Sequence, residues 1–240
     1  MKLAVHQPHY MPRPGYFHKM AGADLFVFLN DVQFEKNEWQ NRNRIRNAQS
    51  WQWLSVPTTY KFPQKLNEVQ VDFTRNWQKN HLHSLDACYG TTPFYKKYIP
   101  MFAEFYCALA SKIDRINIDS VRLLAGIMGI TAETVISSDY GFKGESTERL
   151  VNICKHFKAT AYLADADGRD YLDVTLMKDA GISVTFQEFK CPVYPQHWST
   201  GPHDFVPDLS AIDLIFNCGP QCRDIIMQGA NFPFKEVGVD

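Results

Sequence analysis

Residues 2–31 read KLAVHQPHYMPRPGYFHKMAGADLFVFLND, and the alternation within them decides the architecture. KLAV is an apolar run of the length of a short buried strand, and LFVFLND is a second that ends in polar residues. Between them Pro8, Pro12, Pro14 and Gly15 forbid a regular continuation and impose a stiff, extended loop. Tyr16, Met20 and Ala23 then share a face, which predicts a short helix over 16–23. Strand, rigid loop, helix, strand is a unit of parallel pairing, and ligands of such sheets gather beyond the carboxyl ends of the strands. Residues 6–9 and 30–33 both fall at that end.

The rest of the chain extends the same pattern. WQWLSVPTTY predicts a strand interrupted at Pro57, and LNEVQVDF alternates as a half-buried strand does. Helical spacing covers 77–89, 93–112 and 117–128, with Pro100 expected to end or kink the second of these and Gly129 to stop the third. From residue 134 the order is strand (TVISS), loop, helix (TERLVNICKHF), strand (AYLA), loop, helix (YLDVTLMKDA) and strand (ISVTFQEF). Ser146 or Thr147 is the expected N-cap of the first of those helices, and two short helices, one over 210–216 and one from about Pro220, close the chain. The expected class is α/β, a mostly parallel sheet flanked by helices with a helical middle segment. No Gly/Ser linker interrupts it, so one domain over 1–240 is expected, with an N-terminal half at 1–75, a helical segment at 76–130 and a βαβαβ half at 131–240.

Composition narrows the function classes. The 240 residues are enough for a large core, and a net charge of -1 supplies no global attraction to nucleic acid or anionic lipid. No apolar stretch is long enough to span a membrane and no secretory leader follows Met1, so a cytoplasmic protein with reduced thiols is expected. The six cysteines form no closely spaced ligand set, and no metal site is assigned. Aromatic residues make up 14%, rich enough to line a pocket as well as fill a core.

Chemistry-bearing residues concentrate near the first strand. His6 and His9 put two imidazoles at a strand end, where an imidazole serves as general base. Asp31 follows the second strand and is positioned to orient a His or Arg; these three are the candidate catalytic residues. Arg42, Arg44 and Arg46 alternate in WQNRNRIR and would share one face of an extended chain, offering guanidinium groups to carboxylate or phosphate. Asp165, Asp167, Arg169, Asp170 and Tyr171 surround Gly168, where carboxylates take sugar hydroxyls or cap the next helix. Cys154 and Cys218 are nominal nucleophiles, although a free Cys is more often a small buried hydrophobe.

In HQPHYMPRPGYF, ADLFVFLNDVQF, WQNRNRIR and WLSVP the sequence resembles the WbqC-like family, and the likeness runs on through TERLVNICK, AYLADADGRDYLD, PVYPQ and DFVPDLSAIDLIFNCGP. What the resemblance implies is a place in O-antigen, capsule or other polysaccharide assembly more than a reaction. Its motif positions here include His6, Gln7, Pro8, Tyr10, Pro12, Gly15, Tyr16, Lys19, Asp31, Gln33, Lys36, Asn41, Arg42, Asp170, Tyr171, Gln196, Ser210 and Asp213. Of these Gln7, Tyr10, Tyr16, Lys19, Gln33, Lys36, Asn41, Arg42, Asp170, Tyr171, Gln196 and Asp213 are the candidate substrate-binding set. Two positions depart from the family's pattern: Ala164-Asp165 stands where Ser-Gly is usual, and Pro12-Arg13 where Pro-Trp is usual.

Three functions follow as expectations. The first is a small-molecule transferase adding an acyl or aminoacyl group to an amino sugar or related metabolite, with a His base and an Arg/Lys anion grip. Its donor would be a nucleotide or phosphopantetheine-linked molecule, with a small, carrier-bound substrate and no nucleic-acid partner. The second is an ATP-dependent nucleotidylyl or adenylate-forming enzyme, implied by a remoter resemblance of HQPHYMPRPGYFHKM after the first strand to the His-containing ATP loop of the nucleotidylyltransferases, from which the HxGH spacing is missing here. The third is a non-catalytic ligand-binding protein of the assembly machinery.

Overall fold

A computed structural model of the chain describes residues 1–229 and the two-residue strand 235–236, so the last few residues of the expected 131–240 half lie largely outside the described part. The strands are β1 (Lys2–His6), β2 (Leu25–Phe28), β3 (Arg42–Asn47), β4 (Ser50–Ser55), β5 (Thr58–Thr59), β6 (Gln70–Val71), β7 (Glu133–Ile136), β8 (Ala161–Ala164), β9 (Ser183–Phe186) and β10 (Lys235–Glu236). The helices are α1 (Pro14–Ala21), α2 (Trp77–Tyr89), α3 (Tyr95–Cys107), α4 (Ile113–Met128), α5 (Ser146–His156), α6 (Val174–Asp179), α7 (Ala211–Cys218) and α8 (Cys222–Gln228).

The main sheet runs β10-β9-β8-β1-β2-β7. All pairings from β9 to β7 are parallel, and β10 adds an antiparallel edge. Taken in chain order, the five parallel strands lie 3-2-1-4-5, the doubly wound arrangement whose order reverses between β1 and β8. Side-chain alternation divides the core across this sheet. Ala4, Phe26 and Phe28 face the larger layer with α1 to α4, α7 and α8, whereas Leu3, Val5, Leu25 and Val27 face the layer of α5 and α6. Both faces are covered, which is why β1 and β2 read as near-continuous apolar runs.

Several boundaries differ from the sequence expectation, each for a physical reason. Helix α1 begins at Pro14, whose ring presets φ and whose missing N–H falls where no intrahelical bond is made. Helix α3 runs through Pro100 because that position is exposed and its opposite face, Tyr98, Phe102 and Tyr106, is buried. Helix α4 starts four residues earlier than predicted and stops on Gly129, which takes the left-handed conformation at φ 68°. The start of α5 has Glu145 at its N-cap position with no side-chain cap, and Thr147 instead accepts from the Asp173 backbone N–H.

The segment 66–73 is not a full strand. Its backbone is taken up by the loop after β2, with Leu66 N–H donating to the Val32 carbonyl and Asn67 N–H to that of Asn30, so only β6 pairs, with β5. WQNRNRIR forms β3, but it pairs with β4 in a separate two-stranded ribbon rather than joining the main sheet.

Candidate functional site

At the carboxyl ends of β1, β2 and β8, beside the reversal of strand order, lies a cavity of about 760 Å³. Its walls come from Val5, His6 and Gln7 at the end of β1; Leu29, Val32 and Gln33 after β2; Gly144 to Ser146 and Arg149 at the start of α5; and Tyr162, Asp165 and Tyr171 around the end of β8. Volume and position are those of a small-molecule site in a doubly wound fold.

The ionisable centre is His6, Lys19 and Asp165. Lys19 is wholly buried in α1, and its Nζ donates to the Val5 carbonyl at 2.9 Å and to Asp165 Oδ2 at 2.8 Å. Asp165 Oδ2 also lies 3.7 Å from His6 Nε2. His6 Nδ1 donates to the Gln7 carbonyl at 2.9 Å; a carbonyl only accepts, so in the neutral ring the lone pair sits on Nε2. Burial lowers the His6 pKa, Asp165 opposes that, and Lys19 reinforces it. Burial pushes Asp165 up, but His6 and Lys19 outweigh it and hold the carboxyl at about 2. These shifts favour an ionised carboxylate beside an imidazole biased toward its neutral form.

His9 packs edge-on against His6 with centroids 4.7 Å apart, and both rings lie against Tyr16. Burial, then the neighbouring His6 and Arg13, lowers its pKa well below the usual imidazole value. The Tyr16 hydroxyl donates to the Gln7 carbonyl at 3.2 Å, and burial keeps it protonated. Gln7 is steadied in turn by Gln40 Nε2, which donates to its Oε1 at 2.6 Å. The rigid loop demanded by Pro8, Pro12 and Pro14 thus carries a braced wall.

Asp31, expected to orient a His or Arg, orients an arginine. It forms an ion pair with Arg149 and accepts from Ser137 Oγ, tying the end of β2 to the first turns of α5 and the end of β7. Arg149 lines the cavity, and its buried Nε has no hydrogen-bond partner.

The structure distributes the remaining sequence candidates unevenly. His6, Gln7, Gln33 and Tyr171 line the cavity, Lys19 and Tyr16 support it from behind, and Asp170 is exposed at the end of the turn 166–170. Tyr10 is buried away from it, sharing its hydroxyl with His81 Nδ1 (2.9 Å) and Tyr106 (2.7 Å). Lys36 stands over the Tyr60 ring, and Asn41 pins its loop through the Val56 carbonyl and the Asn37 N–H. Arg42 stacks on Trp53 in the β3–β4 ribbon. Gln196 and Asp213 belong to a separate buried knot, where Asp213 Oδ2 accepts from Tyr194 (2.8 Å) and Gln196 (2.9 Å). Burial raises the Cys154 and Cys218 thiols to about 12 each, which leaves them poor nucleophiles.

Asp165 was named only within the cluster around Gly168, outside the catalytic and substrate-binding sets, and Arg149 was not named at all. Asp165 had a signal, as the first carboxylate after β8 and a departure from the family's usual glycine. Arg149 had none beyond a cation in the first turn of a helix, where the dipole disfavours it. Among the described residues no group of three or more His, Cys, Asp or Glu is arranged to hold a metal ion, and no helix is long and apolar enough to cross a membrane.

Fold and site define a doubly wound α/β protein with a histidine-bearing cavity at its switch point. Residues 7–225 match the model of the WbqC-like protein family, and the chain belongs to that family. It is 33% identical over 231 residues to the uncharacterized protein Rv1507c of Mycobacterium tuberculosis, a match covering 94% of this chain and 97% of the relative. No solved structure matches.

Proposed function

We propose that the chain is a small-molecule transferase of polysaccharide or specialised-metabolite biosynthesis, delivering an acyl or aminoacyl group to an amino sugar or related acceptor. The observation that carries this reading is His6: a neutral imidazole on the cavity wall, its Nδ1 engaged by the Gln7 carbonyl and its Nε2 left to take a proton. The acceptor amine attacks the donor carbonyl, forming the new C–N bond as the bond to the leaving group breaks. His6 Nε2 takes the amine's proton and returns it to the leaving thiolate or alkoxide. Asp165, 3.7 Å away, stabilises the transient imidazolium. Gln7, Gln33 and Tyr171 suit sugar hydroxyls, and Arg149, paired with Asp31, is the guanidinium on the cavity wall where the sequence had suggested Arg42 as an anion grip.

The test is a thermal-shift panel of sugar nucleotides and acyl thioesters, followed by mass-spectrometric turnover of those that stabilise the protein. His6→Gln should lose about 10²–10⁴ in kcat with ligand affinity retained, the usual contribution of a general base. Full turnover by H6Q, or neither stabilisation nor turnover with any member, overturns the reading. A nucleotidylyl or adenylate-forming enzyme is the second reading, supported by the 3-2-1-4-5 strand order and a crevice where such folds hold nucleotides. ATP–pyrophosphate exchange separates the two.

A further inference from the structure

The β3–β4 ribbon carries a ladder of guanidinium and indole groups that the cavity does not use. Alternation sets Arg42, Arg44 and Arg46 on one face, with Arg44 opposite Trp53 and Arg46 opposite Trp51 in the antiparallel register. Arg46 is buried and tied to the Ser50 carbonyl (2.7 Å) and Asp204 (3.2 Å). The other two are held chiefly by stacking, with Arg44 Nη2 also reaching the Asp208 carbonyl at 3.5 Å. Arg42 lies 4.0 Å from the Trp53 ring centroid, and Arg44 lies 5.1 Å from Trp51 and 5.7 Å from Trp39. Arg13, from the loop before α1, completes the row 5.9 Å from Trp39.

Stacking of this kind stabilises the ribbon, but it leaves the charge unbalanced. Among the described residues none of Arg13, Arg42 and Arg44 has a carboxylate within 4.0 Å, in contrast with Arg46, and the buried Nε atoms of Arg42 and Arg44 have no hydrogen-bond partner. Trp51 and Trp53 remain 38% and 37% exposed. Three cations fixed side by side among open indoles form a surface short of anions.

Two features choose the anion. Trp and Arg are the residues in which the energetic centres of protein–protein interfaces are enriched. Arg42 and Arg44, two residues apart on a strand, are spaced by about 6.8 Å, close to the roughly 5–6 Å between carboxylate-bearing positions one turn apart on a helix. The net charge of -1 provides no wider field to draw a nucleic acid, so recognition must be local. The ladder is tied to the cavity wall through the residue after Trp39: Gln40 Nε2 donates to Oε1 of the wall residue Gln7 at 2.6 Å.

We propose that this face docks an acidic protein that carries the transferred group to the His6 cavity, an assignment whose delivery role rests on the transferase reading and whose docking role does not. Trp fluorescence of the full chain, titrated with poly-L-glutamate, poly(dT) and dextran sulfate at matched charge, tests it. Poly-L-glutamate should bind most tightly, weaken with added salt, and bind R42Q/R44Q at least tenfold more weakly. R42K/R44K, which keeps the charge while losing the stacked guanidinium planes, should bind between the two and shows that the loss is not one of folding. H6Q should bind as the unaltered chain does, so that a catalytically unaffected H6Q would sink the transferase reading without touching this one. Absent binding of poly-L-glutamate, equal binding by R42Q/R44Q, or tighter binding of poly(dT) or dextran sulfate overturns the proposal.

Discussion

Lys19 Nζ and Asp165 Oδ2 lie 2.8 Å apart with the ammonium wholly withdrawn from solvent, so the carboxylate is the counter-ion that lets the lysine stay charged. The pair spans the reversal of strand order, since Lys19 stands on the helix after β1 and Asp165 follows β8.

Opposite shifts at His6 follow from that pair. Lys19→Met leaves Asp165 facing the imidazole alone and should raise the His6 pKa, whereas Asp165→Asn removes the group that raises it and should lower it. Titration of the His6 ring protons by NMR reads both, and shifts of the same sign would refute the account. Lys19→Met should also cost about 1–3 kcal/mol, less than a fully buried pair because Asp165 keeps contact with water. Urea denaturation measures that cost.

Stability should fall on acidification in two stages. Burial lowers His18 and His81 to about 4 each, against 6.5 for a free imidazole. Unfolding then takes up protons below pH 6.5, so their contribution is complete above that value and declines toward pH 4. Asp165, held at about 2 against 3.8, contributes above pH 3.8 and loses that contribution as pH falls through about 2. Denaturation midpoints from pH 8 to pH 2 should decline across both windows; a midpoint that stays level between 6.5 and 4 contradicts the first stage.

The Asp213 knot should matter for folding and not for the cavity. Its carboxylate is fully buried, its pKa is raised by burial, and it accepts from Tyr194 and Gln196, whose amide also donates to the Val206 carbonyl at 3.1 Å. Asp213→Ala strands those donors and should destabilise by about 2–4 kcal/mol. Affinity for any cavity ligand should remain within about twofold at a temperature where the variant is folded. A tenfold loss of affinity would place Asp213 in the ligand site after all.

Thiol reactivity should follow exposure. Cys107 is exposed, whereas Cys154 and Cys218 are buried with thiols raised to about 12. Labelling of the native protein with a thiol reagent at pH 8 should reach Cys107 first, and C154A and C218A should each keep the turnover found for the parent chain. Rapid modification of Cys154 in the folded state would show that its surroundings are misread.

The fold was largely legible because burial on both faces leaves a local record. KLAV and LFVF are runs of buried strand, and Gly129 marks the end of α4 by its backbone preference, whereas Pro14, read as loop, opens α1 and Ser210, read as helical, caps α7 by accepting from the Ile212 N–H. The site was legible in part. His6 and Gln7 are local to one strand end and line the cavity, but the spacing of Arg42 and Arg44 says only that they share a face, not what the face meets. Gln196 and Asp213 carry the same polar character as cavity residues, and nothing local marks them as members of a buried knot.

By itself, then, the sequence determined the strand-loop-helix unit, the α/β class and the strand end at which imidazoles gather, because periodicity and proline act within a few residues. Only the tertiary structure decided that Asp165, nearly 150 positions from Lys19, is its counter-ion. It also decided that Arg149 rather than Arg42 faces the cavity. Those outcomes depend on β8 lying beside β1 and on the ribbon standing apart from the sheet, and strand order is set by the packing of whole layers, which no local spacing encodes.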